Sequence, residues 1–326
     1  MEKIKKYIYL AIALLLVVIF RQLNMTQIKE DLLLLPPVFL VLLIALQVFT
    51  QTIISLQWCT ILEWNGMSLG FWKMLLINFR SSIVEAITPG AKIGGEAYKT
   101  VALKRELSCT MEKSASIVAL QKMFSFFGLT SLAGFSGLYF FIINVDNGKN
   151  IGWVLGSLVM AAVLGLMIYS FLNPTAAGEK LKGKNKIGKI AKSFFISYGI
   201  CVTNIKEKPF GVFKQLLMTF TMWMTYPVKL YIILLAFSID ISMLGVIAIT
   251  FGAYVVGTLP VTPGGIGGFE MTMCGLLAMV SGVGLEQALV ISVIFRFITF
   301  WLVVGSGIVL TGLEKMLLFK KEGLYD

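Results

Sequence analysis

Long apolar runs dominate the chain, and polar residues fall mainly in the short stretches between them. A bilayer-spanning helix needs roughly 17–25 mostly apolar residues. The pattern predicts six membrane-spanning helices, at residues 7–20, 36–58, 114–143, 151–172, 212–237 and 285–313. A signal peptide is the competing interpretation of the first run. Because residues 21–24 (Arg-Gln-Leu-Asn) offer no small-residue cleavage site, we expect a helix that is retained.

Two further apolar segments, at residues 71–88 and 243–259, each run into a Thr-Pro-Gly cluster and re-emerge as a second short stretch. Proline removes a backbone donor and glycine permits positive φ, so the helix is expected to break there. Both segments are predicted to be re-entrant hairpins, the first opening to the cytoplasm and the second to the outside. A full crossing by one or both remains the alternative.

The composition supports a membrane protein and excludes several kinds of chemistry. Apolar residues make up 57% of the 326 residues and charged residues 14%. Histidine is absent, which excludes Ser-His-Asp and Cys-His catalysis and imidazole metal sites. The four cysteines form no CxxC motif and are expected to be free thiols, and no cofactor is expected.

Basic residues predict the orientation in the membrane. The net charge is +11, and eight lysines lie in the loop at about residues 173–211. Lysine-rich loops stay on the cytoplasmic side, so we expect this loop and both termini to be cytoplasmic in a multi-pass cell-membrane protein. Residues 187–195 place apolar side chains at helical spacing among lysines. An amphipathic helix there is expected to contact anionic lipids of the inner leaflet.

The chain repeats itself at an offset of 174 residues. Thr88-Pro89-Gly90 aligns with Thr262-Pro263-Gly264, and the matching acid and base follow in the same register: Glu96 with Glu270, and Lys122 with Arg296. The repeats cover about residues 36–144 and 212–314, within one membrane domain spanning residues 1–326. The predicted topology makes them antiparallel, as in the inverted repeats of many secondary transporters.

Each hairpin carries a candidate site at its glycine cluster. The returning half-helix begins there, so its free N–H groups and positive dipole end suit a phosphate or carboxylate. Close packing through small residues is the alternative. The glutamates and the buried cations are functional candidates, although structural Glu96–Lys122 and Glu270–Arg296 pairs are equally compatible with the pattern. The predicted substrate-binding residues are Thr88, Gly90, Gly94, Gly95, Glu96, Lys122, Thr262, Gly264, Gly265, Gly268, Glu270 and Arg296.

The two Thr-Pro-Gly clusters, with Glu96, Glu270 and Arg296, resemble the paired signatures of the lysylphosphatidylglycerol synthase transmembrane-region family, also called flippase-like domain proteins. The resemblance covers nearly the whole chain. In bifunctional members, this region is similar to a lipid flippase and accompanies a cytosolic aminoacyl-transfer domain. One departure is Gln121-Lys122, where many members have an acid-arginine pair.

The resemblance implies an all-α lipid transporter that moves a phosphate-containing polar lipid, such as aminoacyl-phosphatidylglycerol, between leaflets. A glycolipid or polyprenyl-phosphate substrate is equally open. A phosphatidylglycerol lysyltransferase-type enzyme is the alternative function, although no cytosolic catalytic domain is expected within these residues. A membrane scaffold for a lipid- or glycan-modifying partner is a third hypothesis, and the expected partners are the lipid substrate and a further copy of the chain, with no nucleic acid.

Overall fold

The computed structural model describes residues 36–88, 93–143, 151–176, 186–258 and 262–322. These residues form helices and no strands. The described residues form eleven α-helical segments, in order α1 Pro37–Trp64, α2 Phe71–Ile87, α3 Ile93–Glu106, α4 Met111–Ile143, α5 Ile151–Leu172, α6 Lys186–Lys206, α7 Gly211–Ala236, α8 Met243–Gly257, α9 Gly268–Ser281, α10 Leu285–Arg296 and α11 Leu302–Glu322. A π-helical turn, Phe297–Trp301, joins α10 to α11.

Five of the described helical segments are long and apolar enough to cross a membrane: 37–64, 111–143, 152–172, 211–236 and 285–314. They confirm five of the six predicted spans, and the predicted span at residues 7–20 lies outside the described residues. Apart from Ser170, the exposed side chains of α5 are apolar, as expected for a helix that lies against lipid rather than water. The all-helical, polytopic membrane class is therefore confirmed.

The four helices that follow α1 and α7 in the repeats, up to the long spans, are too short to span a bilayer upright. α2, α3, α8 and α9 contain 17, 14, 15 and 14 residues. At about 1.5 Å per residue these helices reach about 21–26 Å, against a hydrocarbon core of about 30 Å. They form two helical hairpins, α2–α3 and α8–α9: α2 ends at Ile87, just before its Thr-Pro-Gly cluster, and α9 follows the turn Pro263–Gly265 of the second cluster.

The order and lengths of the helices recur. α1 to α4 contain 28, 17, 14 and 33 residues, and α7 to α9 contain 26, 15 and 14 before the long last helix. The cross-contacts are reciprocal: α2 packs on α11, α8 packs on α4, and the two first helices, α1 and α7, pack on each other. This reciprocity is what two similar halves related by a pseudo-two-fold axis would produce.

The basic-loop helix α6 is longer than the amphipathic segment predicted from the sequence. Its C-terminal half buries Tyr198, Cys201, Val202 and Ile205 against the bundle, where α6 packs on α4. Ile190, in the N-terminal half, is 52% exposed. The helix is thus tied to the bundle at one end, and its contact with anionic lipids stays a prediction.

Candidate functional site

A polar cavity of about 120 Å³ lies between helices of both halves. One water occupies about 10–15 Å³ of such volume, so the cavity has room for a glycerol-sized group. It is lined by residues of α1, α2, α3, α4, α7 and the π-helical turn with the start of α11: Gln51, Ile54, Trp58, Asn78, Ser81, Ser82, Glu85, Glu96, Lys99, Gln121, Lys122, Ser125, Met222, Trp223, Tyr226, Thr299, Phe300 and Val303.

Glu96 is the centre of the charges in this cavity. Its carboxylate lies 2.8 Å from Lys122 Nζ and 3.3 Å from Lys99 Nζ, and its second oxygen, Oε2, has no hydrogen-bond partner. The Lys99 ammonium also lies 5.2 Å from the centre of the Trp58 ring. Two cations and one anion are therefore held together in a largely desolvated site.

The position of Glu96 follows from the local sequence. Glu96 is in the first turn of α3, where the helix dipole favours an acid. Gly95 allows this turn to approach α2 closely, since a Cβ on Gly95 would lie 2.9 Å from the Ser81 carbonyl oxygen. The glycine thus brings the start of α3 against α2 and places Glu96 beside the cavity.

The structure corrects the expected role of Lys99. By sequence, Lys99 stands with the basic residues that follow the first Thr-Pro-Gly cluster, as expected of a charge at the cytoplasmic mouth, whereas only 9% of the residue is exposed. The signal that could have revealed it is its spacing from Glu96, because residues at i and i+3 share a helix face. Trp58 and Asn78 were also missed, since nothing local marks which face of α1 or α2 is turned to the cavity.

The equivalent charges of the second half form a closed cluster. Arg296 Nε lies 3.4 Å from the Glu270 carboxylate, and the guanidinium also donates to the Gly264 carbonyl oxygen. Its central carbon lies 4.7 Å and 4.3 Å from the centres of the Phe269 and Phe300 rings. Arg296 thus ties the 263–265 turn to α10, and it does not line the polar cavity.

The second glycine turn is shaped by its backbone and by Glu270. Gly264 and Gly265 have φ of 60° and 71°, the left-handed region that favours glycine. Gly267 N–H donates to Glu270 at 2.7 Å, and Thr262 Oγ1 donates to the Ile266 carbonyl oxygen at 2.7 Å. The carboxylate of Glu270 therefore already takes up one of the free N–H groups at the start of α9.

The structure thus contains both ion pairs that the repeat suggested, but only the first pair lines the polar cavity. Glu96 and Lys122 reach the cavity, and Gly95 holds α3 against α2. Thr88 and Gly94 adjoin one another at the first turn, where a Cβ on Gly94 would lie 2.1 Å from Thr88 Oγ1. Gly90 lies outside the described residues. In the second half, Gly264 and Glu270 contact Arg296, and Thr262, Gly265 and Gly268 lie in the turn and at the start of α9. None of these five residues lines the cavity.

A second buried lysine, Lys229, joins the two halves, with its ammonium 4.7 Å from the centre of the Tyr226 ring that lines the cavity. Lys229, on α7 beside Pro227, is fully buried, although lysine is a costly residue inside an apolar span. Its ammonium donates to Gln47 Oε1 and Thr50 Oγ1 at 2.7 Å each, both on α1. Neutral oxygens therefore solvate this charge at the seam between α1 and α7.

The broken helices, the apolar spans and the buried charges define an integral membrane protein with a polar site inside its helix bundle. The chain belongs to the lysylphosphatidylglycerol synthase TM region family, whose pattern matches residues 7–307. It is also similar to UPF0104 membrane proteins of two archaea. One from Methanothermobacter thermautotrophicus is 23% identical over 83% of this chain and 84% of the relative, and one from Pyrococcus horikoshii is 24% identical over 81% and 83%. The membership supports a lipid-related role in a membrane.

Proposed function

We propose that this protein transports a lipid with a polar, phosphate-containing headgroup between the two leaflets. The observation that carries the proposal is the charged cavity, formed where helices of both halves meet inside a bundle of apolar spans. Charges are costly at membrane depth and usually mark a substrate or ion pathway. In this scheme the headgroup enters the cavity while the hydrocarbon chains stay in the bilayer.

The proposal extends to topology. Two antiparallel halves with broken helices would place the two hairpins against each other from opposite sides of the membrane, a construction common in secondary transporters. The recurring helix order and the reciprocal packing of α2 on α11 and α8 on α4 support this arrangement. Irregular backbone survives at membrane depth only where protein or water covers it, as at the 263–265 turn beneath Arg296.

Replacing Glu96 by glutamine tests the transport proposal. Purified protein is reconstituted into phosphatidylcholine vesicles that contain a trace of fluorescent phosphatidylglycerol, and dithionite quenching reports the lipid that changes leaflet. Because Glu96 organises both lysines of the cavity, Glu96→Gln should lower the transport rate at least tenfold. Transport by the variant at the rate of the unaltered protein would contradict the proposal.

A matched control lies on the same helix. Glu106, at the other end of α3, pairs with Lys73 at 3.1 Å, and both side chains are exposed, at 37% and 66%. Exposed pairs contribute only about 0–1 kcal/mol, so Glu106→Gln should transport at a rate within twofold of the unaltered protein. Unfolding of both variants is measured in the same detergent, so that a loss of fold is not read as a loss of transport.

The second ion pair is tested by exchanging its charges. Glu270→Arg combined with Arg296→Glu keeps one acid and one base at the same positions. Full recovery of transport by the double variant would show that the pair only holds the hairpin to α10. If the double variant folds but does not transport, the identity of each residue matters, which supports a direct contact with the headgroup in another state of the cycle.

A further inference from the structure

Lys229 is a charged residue inside a membrane span that has no acid beside it. It is 0% exposed, and it stands seven residues before Ala236, the last residue of α7. No carboxylate of the described residues lies within 4 Å of its ammonium. Lys99 and Lys122, by contrast, both pair with Glu96. Ionisable residues in membrane spans usually mark substrate, ion or proton pathways, which makes this lysine a candidate for one of them.

Three neutral side chains surround the ammonium, and all three can bond to a charged or to an uncharged amine. Nζ donates to Gln47 Oε1 and Thr50 Oγ1 at 2.7 Å each, and to Thr225 Oγ1 at 3.4 Å. A hydroxyl can turn to donate, and a glutamine amide carries N–H donors as well as its oxygen. The lone pair of an uncharged amine could therefore accept a hydrogen bond from any of the three. A carboxylate can only accept, so the lysines paired with Glu96 lack this freedom.

The helices packed against α7 leave Lys229 as a single charge among the described residues. α1 faces it with the uncharged side chains named above, and α7 itself with Tyr226, whose ring centre is 4.7 Å from the ammonium. α8 contributes Tyr254, whose ring centre is 5.1 Å from that of Tyr226. The charged side chains of α4, α10 and α6 have other neighbours: Lys122 pairs with Glu96, Arg296 pairs with Glu270, and Lys206 lies over the ring of Phe171. Burial, and no neighbouring charge, thus determines the electrostatics of this site.

The site lies on the seam between the two halves. α1 and α7 are the first helices of the two repeats, and they pack on each other. Thr50 and Thr225 share a hydrogen bond of 2.8 Å across this seam, to which Lys229 adds two bonds from α7 to α1. Because a charged donor makes stronger hydrogen bonds than a neutral one, a proton on Lys229 tightens the seam and its loss loosens it. Pro227 also interrupts the backbone hydrogen bonds of α7 beside the site, which lets the helix bend there.

We propose that Lys229 is a proton-binding site that couples lipid movement to a proton gradient. The ammonium gives H⁺ from Nζ to a water molecule, which becomes hydronium, and the electron pair stays on the nitrogen. On the other side of the membrane, the amine takes H⁺ back from hydronium. Tyr226 lines the polar cavity and contacts Lys229, so the proton site adjoins the headgroup cavity. The inference rests on the proposed function, because it names the energy source of the same transport cycle.

Accumulation of lipid in one leaflet tests the coupling. The protein is reconstituted into phosphatidylcholine vesicles with a trace of fluorescent phosphatidylglycerol, and potassium with valinomycin holds the membrane potential at zero. The interior is about one pH unit more acidic or more alkaline than the medium, so one proton per lipid can drive up to about tenfold accumulation. Dithionite quenching should show an excess of label in one leaflet that reverses with the gradient and is absent from protein-free vesicles. Lipid that moves but stays evenly distributed under both gradients would overturn the inference.

Substitutions assign the coupling to Lys229. Methionine cannot take up a proton and arginine cannot release one, so Lys229→Met and Lys229→Arg should both leave the lipid evenly distributed. Lys214→Met is the matched control, because Lys214 is an exposed lysine on the same helix, with its ammonium 5.6 Å from the centre of the Trp64 ring. This variant should accumulate lipid as the unaltered protein does. Accumulation by Lys229→Met, or its loss in Lys214→Met, would contradict the assignment.

A second measurement does not depend on lipid movement, and it separates this inference from the transport proposal. Spin labels on Ile44 of α1 and Leu235 of α7, both at least 40% exposed, report the width of the seam by electron paramagnetic resonance. The distance should differ between acidic and alkaline buffer in the unaltered protein and stay constant in Lys229→Met. A pH-dependent seam without movement of lipid in vesicles would support the proton site and contradict transport. Movement of lipid with a seam that ignores pH would support transport and contradict the proton site.

Discussion

Alanine substitutions in the second glycine turn test whether its backbone geometry stabilises the fold. At Gly265, φ is +71° and a Cβ would lie 2.6 Å from the Gly257 carbonyl oxygen. The left-handed conformation costs an L-residue about 1–2 kcal/mol. Forcing a methyl group into a filled space costs a further ~1–3 kcal/mol. Gly265→Ala should therefore lower the free energy of unfolding by about 2–5 kcal/mol.

Two neighbouring glycines separate these contributions. Gly267 has φ of +85° but nothing within 4 Å of its Cβ position, so Gly267→Ala should show only the backbone cost, ~1–2 kcal/mol. Gly268 has no positive φ, and the nearest atom to its Cβ position is Val256 Cγ1 at 3.8 Å. Gly268→Ala should therefore change stability by less than ~1 kcal/mol.

The assay is unfolding in mixed micelles of dodecyl maltoside and sodium dodecyl sulfate, followed by circular dichroism. The expected order of stability is Gly268→Ala, then Gly267→Ala, then Gly265→Ala. The reasoning would be refuted if Gly265→Ala were as stable as Gly267→Ala, because the contact with Gly257 would then contribute nothing.

Three further outcomes are expected. Arg296→Lys should lower the free energy of unfolding by about 1–3 kcal/mol in the same assay, because lysine keeps the charge but loses the planar contact between two rings and the bond to Gly264; an unchanged value would contradict this. Lys229→Met should retain or gain stability, since a buried charge held by neutral oxygens is replaced by an apolar group of similar length; a loss of several kcal/mol would instead show that the hydrogen bonds to Gln47 and Thr50 outweigh the cost of burying the charge. Cysteines that replace Asp240 and Asn147 should be labelled from outside the cell, and cysteines that replace Lys184 and Lys321 only after permeabilisation. External labelling at Lys321 would mean that the second hairpin crosses the membrane fully, and it would contradict the predicted inverted repeat.

Much of the helical framework could be predicted because the signals are local. The length of each apolar run predicts a membrane span, and the two Thr-Pro-Gly clusters predict where the chain leaves the helix after α2 and α8. The two ion pairs followed from the repeat, which set Glu96 with Lys122 in the register of Glu270 with Arg296. Topology experiments can be planned from the sequence, and the structure selects the labelling position in the loop before α8: Ile241 is buried and Asp240 is exposed.

The lining of the cavity could not be predicted, because it depends on the rotation of apolar helices about their own axes. A helix with apolar residues on all sides gives no pattern that tells which face meets protein and which meets lipid. Trp58 and Asn78 therefore look like ordinary span residues in the sequence. Lys99 looks like a loop charge until its contact with Glu96 is seen.

The two halves are alike in sequence but differ in the surroundings of their buried cations. Lys122 lines an open cavity, and its side chain is 21% exposed, whereas the side chain of Arg296 is 9% exposed and sits over two aromatic rings. In transporters built from inverted repeats, one repeat rocks or gates against the other around a fixed site, so that the site alternates between states open to opposite sides. We propose that the structure shows one such state, and that in the other state the second half is open and the first closed.

Distances between exposed sites on the reciprocal helix pairs test this exchange. Trp72 and Met316 lie at the ends of α2 and α11, and Leu244 and Ile142 are at similar places on α8 and α4; all four are at least 56% exposed. Spin labels on each pair report its separation by electron paramagnetic resonance in vesicles. Because one half opens as the other closes, adding dihexanoyl phosphatidylglycerol should shift the two distances in opposite directions. Shifts of the same sign, or no shift in either pair while lipid is transported, would mean that the asymmetry of Lys122 and Arg296 is a fixed feature of the fold and that access alternates by another motion.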